Sequence, residues 1–122
     1  MTILNEMIRC EKWITDALAY SGNTHDFEHV VSSVLSGQMQ FWPNSDCCLI
    51  TEFHTFPKKR VLHIFLAGGD LDQLLSMHPE VMEWAKANGC SDLTESGRKG
   101  WTKVLKQHGW KESFTTMSKA IL

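Results

Sequence analysis

The sequence predicts an α/β domain built on a mixed, mostly antiparallel sheet, with elements in the order ααβββαβαβ. Three observations carry that expectation. Phe27, Val30, Val31, Val34 and Leu35 form a stripe at three- and four-residue spacing, the pattern of an amphipathic helix. After Gly37 the period changes, and three runs rich in β-branched and aromatic residues follow with short links, as in an antiparallel meander. A helical stretch then separates the third run from a fourth. That spacing implies a parallel pair joined by a right-handed crossover, with helices covering both faces of the sheet.

Taken in order, Ile3, Leu4, Met7, Ile8, Ile14, Ala17 and Leu18 recur at helical spacing, so residues 3–20 read as one helix or two short ones ended near Gly22. The striped helix takes Asn23 or Thr24 as its cap, Asp26 and Glu28 in its first turn and Gly37 as its stop. Met39–Trp42 is a short strand closed by Pro43-Asn44, and Cys47–Phe56 a longer one ended by Pro57. Arg60–Ala67 is nearly all apolar, as expected of a strand covered on both faces. Gly68-Gly69-Asp70 leads into a helix carrying Leu71, Leu74, Leu75, Val81, Met82, Trp84 and Ala85, and Pro79 predicts a kink or restart within it. Asn88-Gly89 ends that helix. Ser91–Glu95 is a short strand, Arg98–Gln107 a helix stopped by Gly109, and Lys111–Ala120 a final strand. Trp84, Leu74, Leu75 and Phe65 are the expected core.

The chain of 122 residues is one domain's worth, 1–122, with no repeat or linker. Twelve Lys and Arg against fourteen Asp and Glu exclude a broad basic surface, and with it whole-chain nucleic-acid binding. No apolar run reaches a membrane span and no leader precedes the first helix, so the expected location is the cytoplasm. Cys10, Cys47, Cys48 and Cys90 form no paired motif, which argues against structural zinc and a disulfide framework. Charge is uneven: residues 1–57 carry a net -5 and residues 98–122 a net +5. The two ends attract each other or a partner, or are the solvated faces of helices.

From residue 61 onward the element order and its residues resemble the GNAT acyltransferase superfamily. Met82–Ser96 (MEWAKANGCSDLTES) is similar to that family's long helix running into its fifth strand, and Gly97–Glu112 (GRKGWTKVLKQHGWKE) to its last helix and following corner, with Gly109-Trp110 in the corner. The GRKGW stretch also resembles small, motif-poor proteins of this fold encoded by phages, which would place the chain in an infected host's cytoplasm or a virion. The resemblance implies a sheet splayed between its fourth and fifth strands, the pantetheine arm of acetyl-coenzyme A in the split, and its pyrophosphate on a helix start. It assigns Ile64, Phe65, Leu66, Gly68, Gly69 and Arg98 to the coenzyme. The chain departs from the family pattern in three places. The pyrophosphate loop is reduced to Ala67-Gly68-Gly69-Asp70-Leu71-Asp72, Leu105 stands where a Tyr general acid is frequent, and Arg98 stands where an Asn is common.

Acyl transfer to an amine needs a group that accepts the ammonium proton. Glu52 and His54, two residues apart on one strand face, and His63 on the next strand are the candidates. The alternative is a solvent-facing pair and a hydrogen-bonded core histidine. His25-Asp26-Phe27-Glu28-His29 matches an H-x-x-E-H metal motif, but its histidines lie opposite the apolar stripe, so no metal is expected. Gly97-Arg98-Lys99-Gly100 offers cations and free amides to an anion. Two functions follow: an acetyl-coenzyme A dependent N-acetyltransferase acting on an amine through a degenerate pyrophosphate loop, or a catalytically inactive interaction or assembly protein whose partner is another protein or a second copy.

Overall fold

In the computed structural model, which describes residues 2–97 and 99–121, the first helical stretch is two helices. Helix α1 (Ile3–Arg9) starts where the Thr2 hydroxyl accepts from the Asn5 amide, and breaks at Cys10 before α2 (Glu11–Tyr20). Met7, Cys10, Ile14 and Leu18 carry one buried line across both. Helix α3 (Phe27–Leu35) is capped by Asp26 rather than by Asn23 or Thr24. The Asp26 amide donates to His29 Nδ1 at 2.9 Å in a capping box, whereas Asn23 is spent on the turn before it, at φ 54°.

Strands β1 (Gln40–Pro43), β2 (Cys47–Thr55), β3 (Arg60–Gly69) and β4 (Asp92–Glu95) lie in the order β1-β2-β3-β4. The first two pairings are antiparallel and the third is parallel, as the intervening helix α4 (Leu71–Ala87) requires. Because side chains alternate along a strand, Cys48 and Ile50 join Met7, Ile14, Leu18 and Val30 under α1–α3. Cys47 and Leu49 join Leu62, Ile64, Leu74 and Val81 under α4. Each fully buried Leu or Ile in these layers contributes about 2 kcal/mol. Beside the second layer Trp84 stacks on Phe53, with centroids 5.3 Å apart, and the Arg60 guanidinium covers Phe53 at 3.7 Å. Of the expected core, Leu74 is fully buried, while Leu75, Trp84 and Phe65 are half-buried.

One expectation narrows and one gives way. Of the kink or restart expected at Pro79 there is no restart: helix α4 runs through it, and because Pro79 is exposed, solvent can take the carbonyl that its missing amide leaves open. The final strand over 111–120 is absent among the described residues. Trp110 is the last side chain to pack, 5.6 Å from the His78 ring, and beyond it Phe114, Met117 and Ile121 are 84%, 90% and 100% exposed. Strand-like composition makes no strand without a neighbouring ladder, and none lies beside this segment. Helix α5 (Lys99–Lys106) precedes it; Arg98, the predicted start of that helix, lies outside the described residues.

Candidate active site

Strands β3 and β4 keep company only from Val61 beside Asp92 to Ile64 beside Glu95. There β4 ends and the chain leaves through Ser96-Gly97 toward α5, while β3 continues toward α4. A bulge marks the divergence: Ile50 faces Leu66 and Thr51 faces Ile64, so Phe65 has no residue opposite it. The two strands therefore split, and a cleft of about 40 Å³ opens at the branch. Tyr20 and Ser21 at the end of α2, Phe65 and Leu66 on β3, Glu95 on β4 and Trp101 on α5 line it.

The resemblance assigned residues to this split, and the structure gathers Ile64, Phe65 and Leu66 there. Beyond the branch no further strand runs beside Phe65–Gly68 among the described residues, so that edge of β3 is open to an extended ligand. Gly68 and Gly69 have a packing reason of their own. A Cβ on Gly68 would lie 2.8 Å from the Trp13 carbonyl oxygen, and one on Gly69, at φ 104°, only 2.3 Å from the carbonyl oxygen of Asp46.

The start of α4 does not fit a diphosphate. Asp70 caps the helix with its own carboxylate, accepting from the Gln73 amide at 3.0 Å. Its amide donates to the Asp46 carbonyl at 2.8 Å, and the Gln73 side chain ties Ser45 and Asp46 to the same corner. Asp72 occupies the first turn. Three carboxylates thus meet where a helix dipole would otherwise receive an anion, and they would repel a phosphoryl group.

The other half of β3 carries the predicted proton acceptors together. His54 and His63 stack with centroids 4.7 Å apart and planes 19° from parallel. His54 Nε2 lies 3.0 Å from Glu52 Oε1, and His63 Nδ1 lies 2.9 Å from the Thr94 hydroxyl across the parallel pair. Burial lowers the affinity of His63 for a proton, and the neighbouring His54 lowers it further. His63 is therefore held neutral and able to accept a proton at pH 7. Leu105 on α5 is buried, and His29 serves the capping box while His25 meets the Phe65 ring edge-on at 5.0 Å.

Glu95 was missed by the sequence reading. Burial pushes its carboxyl up to about 7, and no hydrogen bond or ion pair reaches it among the described residues. A lone Glu ending a four-residue strand carries no signal of its own. Only the register, which sets residue 95 beside residue 64 at the branch, could have found it.

No protein-family model matches the chain, and no curated protein is similar to it in sequence. Solved structures are similar in shape. A probable acetyltransferase is 12% identical with a TM-score of 0.67, covering 99% of this chain and 95% of its own. A possible acetyltransferase from Clostridium difficile is 8% identical with a TM-score of 0.62, covering 99% and 94%. Glucosamine-6-phosphate N-acetyltransferase from Arabidopsis thaliana is 11% identical with a TM-score of 0.57, covering 87% and 89%. At such identities the likeness is one of fold, and the fold of this chain is that of the GNAT-type acetyltransferases.

Proposed function

We propose that the protein is an N-acyltransferase that takes an acyl thioester on the open edge of β3 and transfers its acyl group to an amine. The observation that carries this reading is the split after Ile64 and Glu95, which leaves the β4-side edge of Phe65–Gly68 without a strand beside it among the described residues, within an acetyltransferase-type fold. The thioester supplies the activated carbonyl: a C–N bond forms as the C–S bond breaks, the sulfur leaves as a thiol and one proton is released from the ammonium. His63 receives that proton, positioned by Thr94, with His54 and Glu52 as the next groups along the sheet. Acetyl-coenzyme A is the donor on this reading, bound through its arm and weakly at its diphosphate end.

The carboxylates at the start of α4 favour a second reading, a non-catalytic interaction or assembly protein. Calorimetric titration with acetyl-coenzyme A separates the two. The expected result is saturable binding with a dissociation constant on the order of a millimolar, about -4 kcal/mol. Turnover of a broad amine panel should then fall about a hundredfold in His63→Gln. Absence of heat at several millimolar coenzyme, from a folded sample, overturns the acyltransferase reading and leaves the second.

A further inference from the structure

The cleft at the branch is chemically unlike an anion site. Among the described residues its one carboxylate wall is Glu95, and Phe65, Trp101 and Tyr20 give it aromatic lining. Glu95 is half-buried and has no partner among the described residues, yet no buried polar atom of the described side chains lacks both a partner and contact with open space. Its oxygens therefore keep contact with open space, and the residue lines the cleft. One of them, Oε1, would lie only 2.7 Å from a Cβ on residue 97, so the glycine there leaves room for the carboxylate. Trp101 is braced against the core under α4 and presents a fixed ring.

A carboxylate drawn out of water beside aromatic rings favours a cation on two counts. The cation restores the charge balance that burial opposes, and ring faces attract it. Size narrows the choice further. A volume of about 40 Å³ holds roughly three water-sized groups, enough for an ammonium and the first methylenes of its chain but cramped for a quaternary head. The anions that would compete are repelled by Asp46, Asp70 and Asp72 at the corner where β3 ends and α4 begins.

We propose that the β3–β4 branch is a binding site for a small primary alkylammonium, with its nitrogen on Glu95 and its methylenes against Phe65 and Trp101. Binding of the cation is independent of any turnover. On the acyltransferase reading, and resting on it, the bound cation is the acceptor amine, and the acceptor is then a small aliphatic amine rather than an anionic or sugar-phosphate substrate.

The test is titration of the full chain with n-butylammonium chloride, followed by the indole N–H resonance of Trp101, with n-butanol as the neutral isostere. The expected result is a saturable shift with a dissociation constant in the millimolar range, at least tenfold tighter than butanol, and lost by at least tenfold in Glu95→Gln. Trp101→Phe, which keeps a ring, should weaken binding only severalfold and confirms the resonance assignment. No saturable shift, equal binding of butanol, or undiminished binding in a folded Glu95→Gln variant each overturns the site. Titrating acetyl-coenzyme A into the same sample keeps the two ideas apart: butylammonium binding without coenzyme binding retains the cation site and removes the acyltransferase, and the reverse result does the opposite.

Discussion

The two halves of β3 have opposite constructions. From Arg60 to Ile64 the strand is laddered on both edges and brings Glu52, His54, His63 and Thr94 together by register alone. From Phe65 to Gly69 one edge is free, and what fixes the backbone is close packing at two glycines, a carboxylate-rich helix start and a bulge. In the first half a side chain changes chemistry without moving the main chain; in the second the main chain itself is the constrained object. On the proposed reading, the proton-accepting groups lie where the ladder is complete, and ligand access where it stops.

The sharpest way to break that contrast is at Gly69. Its φ of 104° already excludes most side chains, and a Cβ would meet the Asp46 carbonyl oxygen at 2.3 Å, a backbone atom that cannot swing away. Gly69→Ala should cost about 3–5 kcal/mol in urea denaturation. Gly89→Ala is the control: φ is 81°, but nothing lies within 4 Å of the added carbon, so only the backbone strain remains, about 1 kcal/mol. Equal losses at the two positions would mean that the open half of β3 is not held by close packing.

The same division decided what could be read from the sequence. Sequence pattern found every helix and strand up to Glu95, because burial on one helix face leaves a stripe in the chain, as at Phe27–Leu35, and burial on both faces of a strand leaves an apolar run, as at Arg60–Ala67. Register and edge were not legible. Nothing local says that residue 65 is a bulge, that Glu95 stands at the branch, or that 111–120 finds no ladder. Those facts depend on which strand lies beside which. The Glu52, His54 and His63 set was legible because two antiparallel strands with a short link put these residues opposite one another; the glycines drew attention for phosphate binding, and their packing partners, Trp13 and Asp46, are too distant in sequence to be seen.

A smaller effect is expected at Glu95. Its carboxyl titrates near 7 in the folded chain against 4.5 in the absence of burial, so folding favours the protonated form. The stability this contributes is fully present below pH 4.5 and is lost as pH rises through about 7, up to about 3 kcal/mol. His63 and His78 act in the opposite sense, since burial lowers both and they cost stability as pH falls below 6.5. The difference between the chain and its Glu95→Gln variant cancels the histidines. That difference should favour the variant by several degrees in Tm at pH 8 and vanish at pH 4.5; a pH-independent difference would show that Glu95 is ordinarily solvated.

The smallest expected effect tests the acidic corner at the end of β3. Removing the Asp70 side chain altogether, in Asp70→Ala, should cost about 1 kcal/mol, because the Gln73 amide loses its capping oxygen. Asp70→Asn keeps an oxygen in the same place and caps a helix as well as Asp does, so its stability should be nearly unchanged while one negative charge is gone. Asp72→Asn makes no such substitution for a cap and gives up only about 0.5 kcal/mol of helix-dipole interaction. The double Asn variant should therefore stay folded and differ from the parent chiefly in charge. If repulsion at this corner is what weakens the diphosphate end, its affinity for acetyl-coenzyme A should rise about tenfold, or 1.4 kcal/mol, at low ionic strength, and the gain should shrink as salt is added. The alkylammonium site lies at the other end of the free edge and pairs with Glu95, so butylammonium affinity should move much less. A double variant that binds coenzyme no better than the parent would mean that the carboxylates are not what limits it, and that the open edge of β3 is itself a poor seat for the arm.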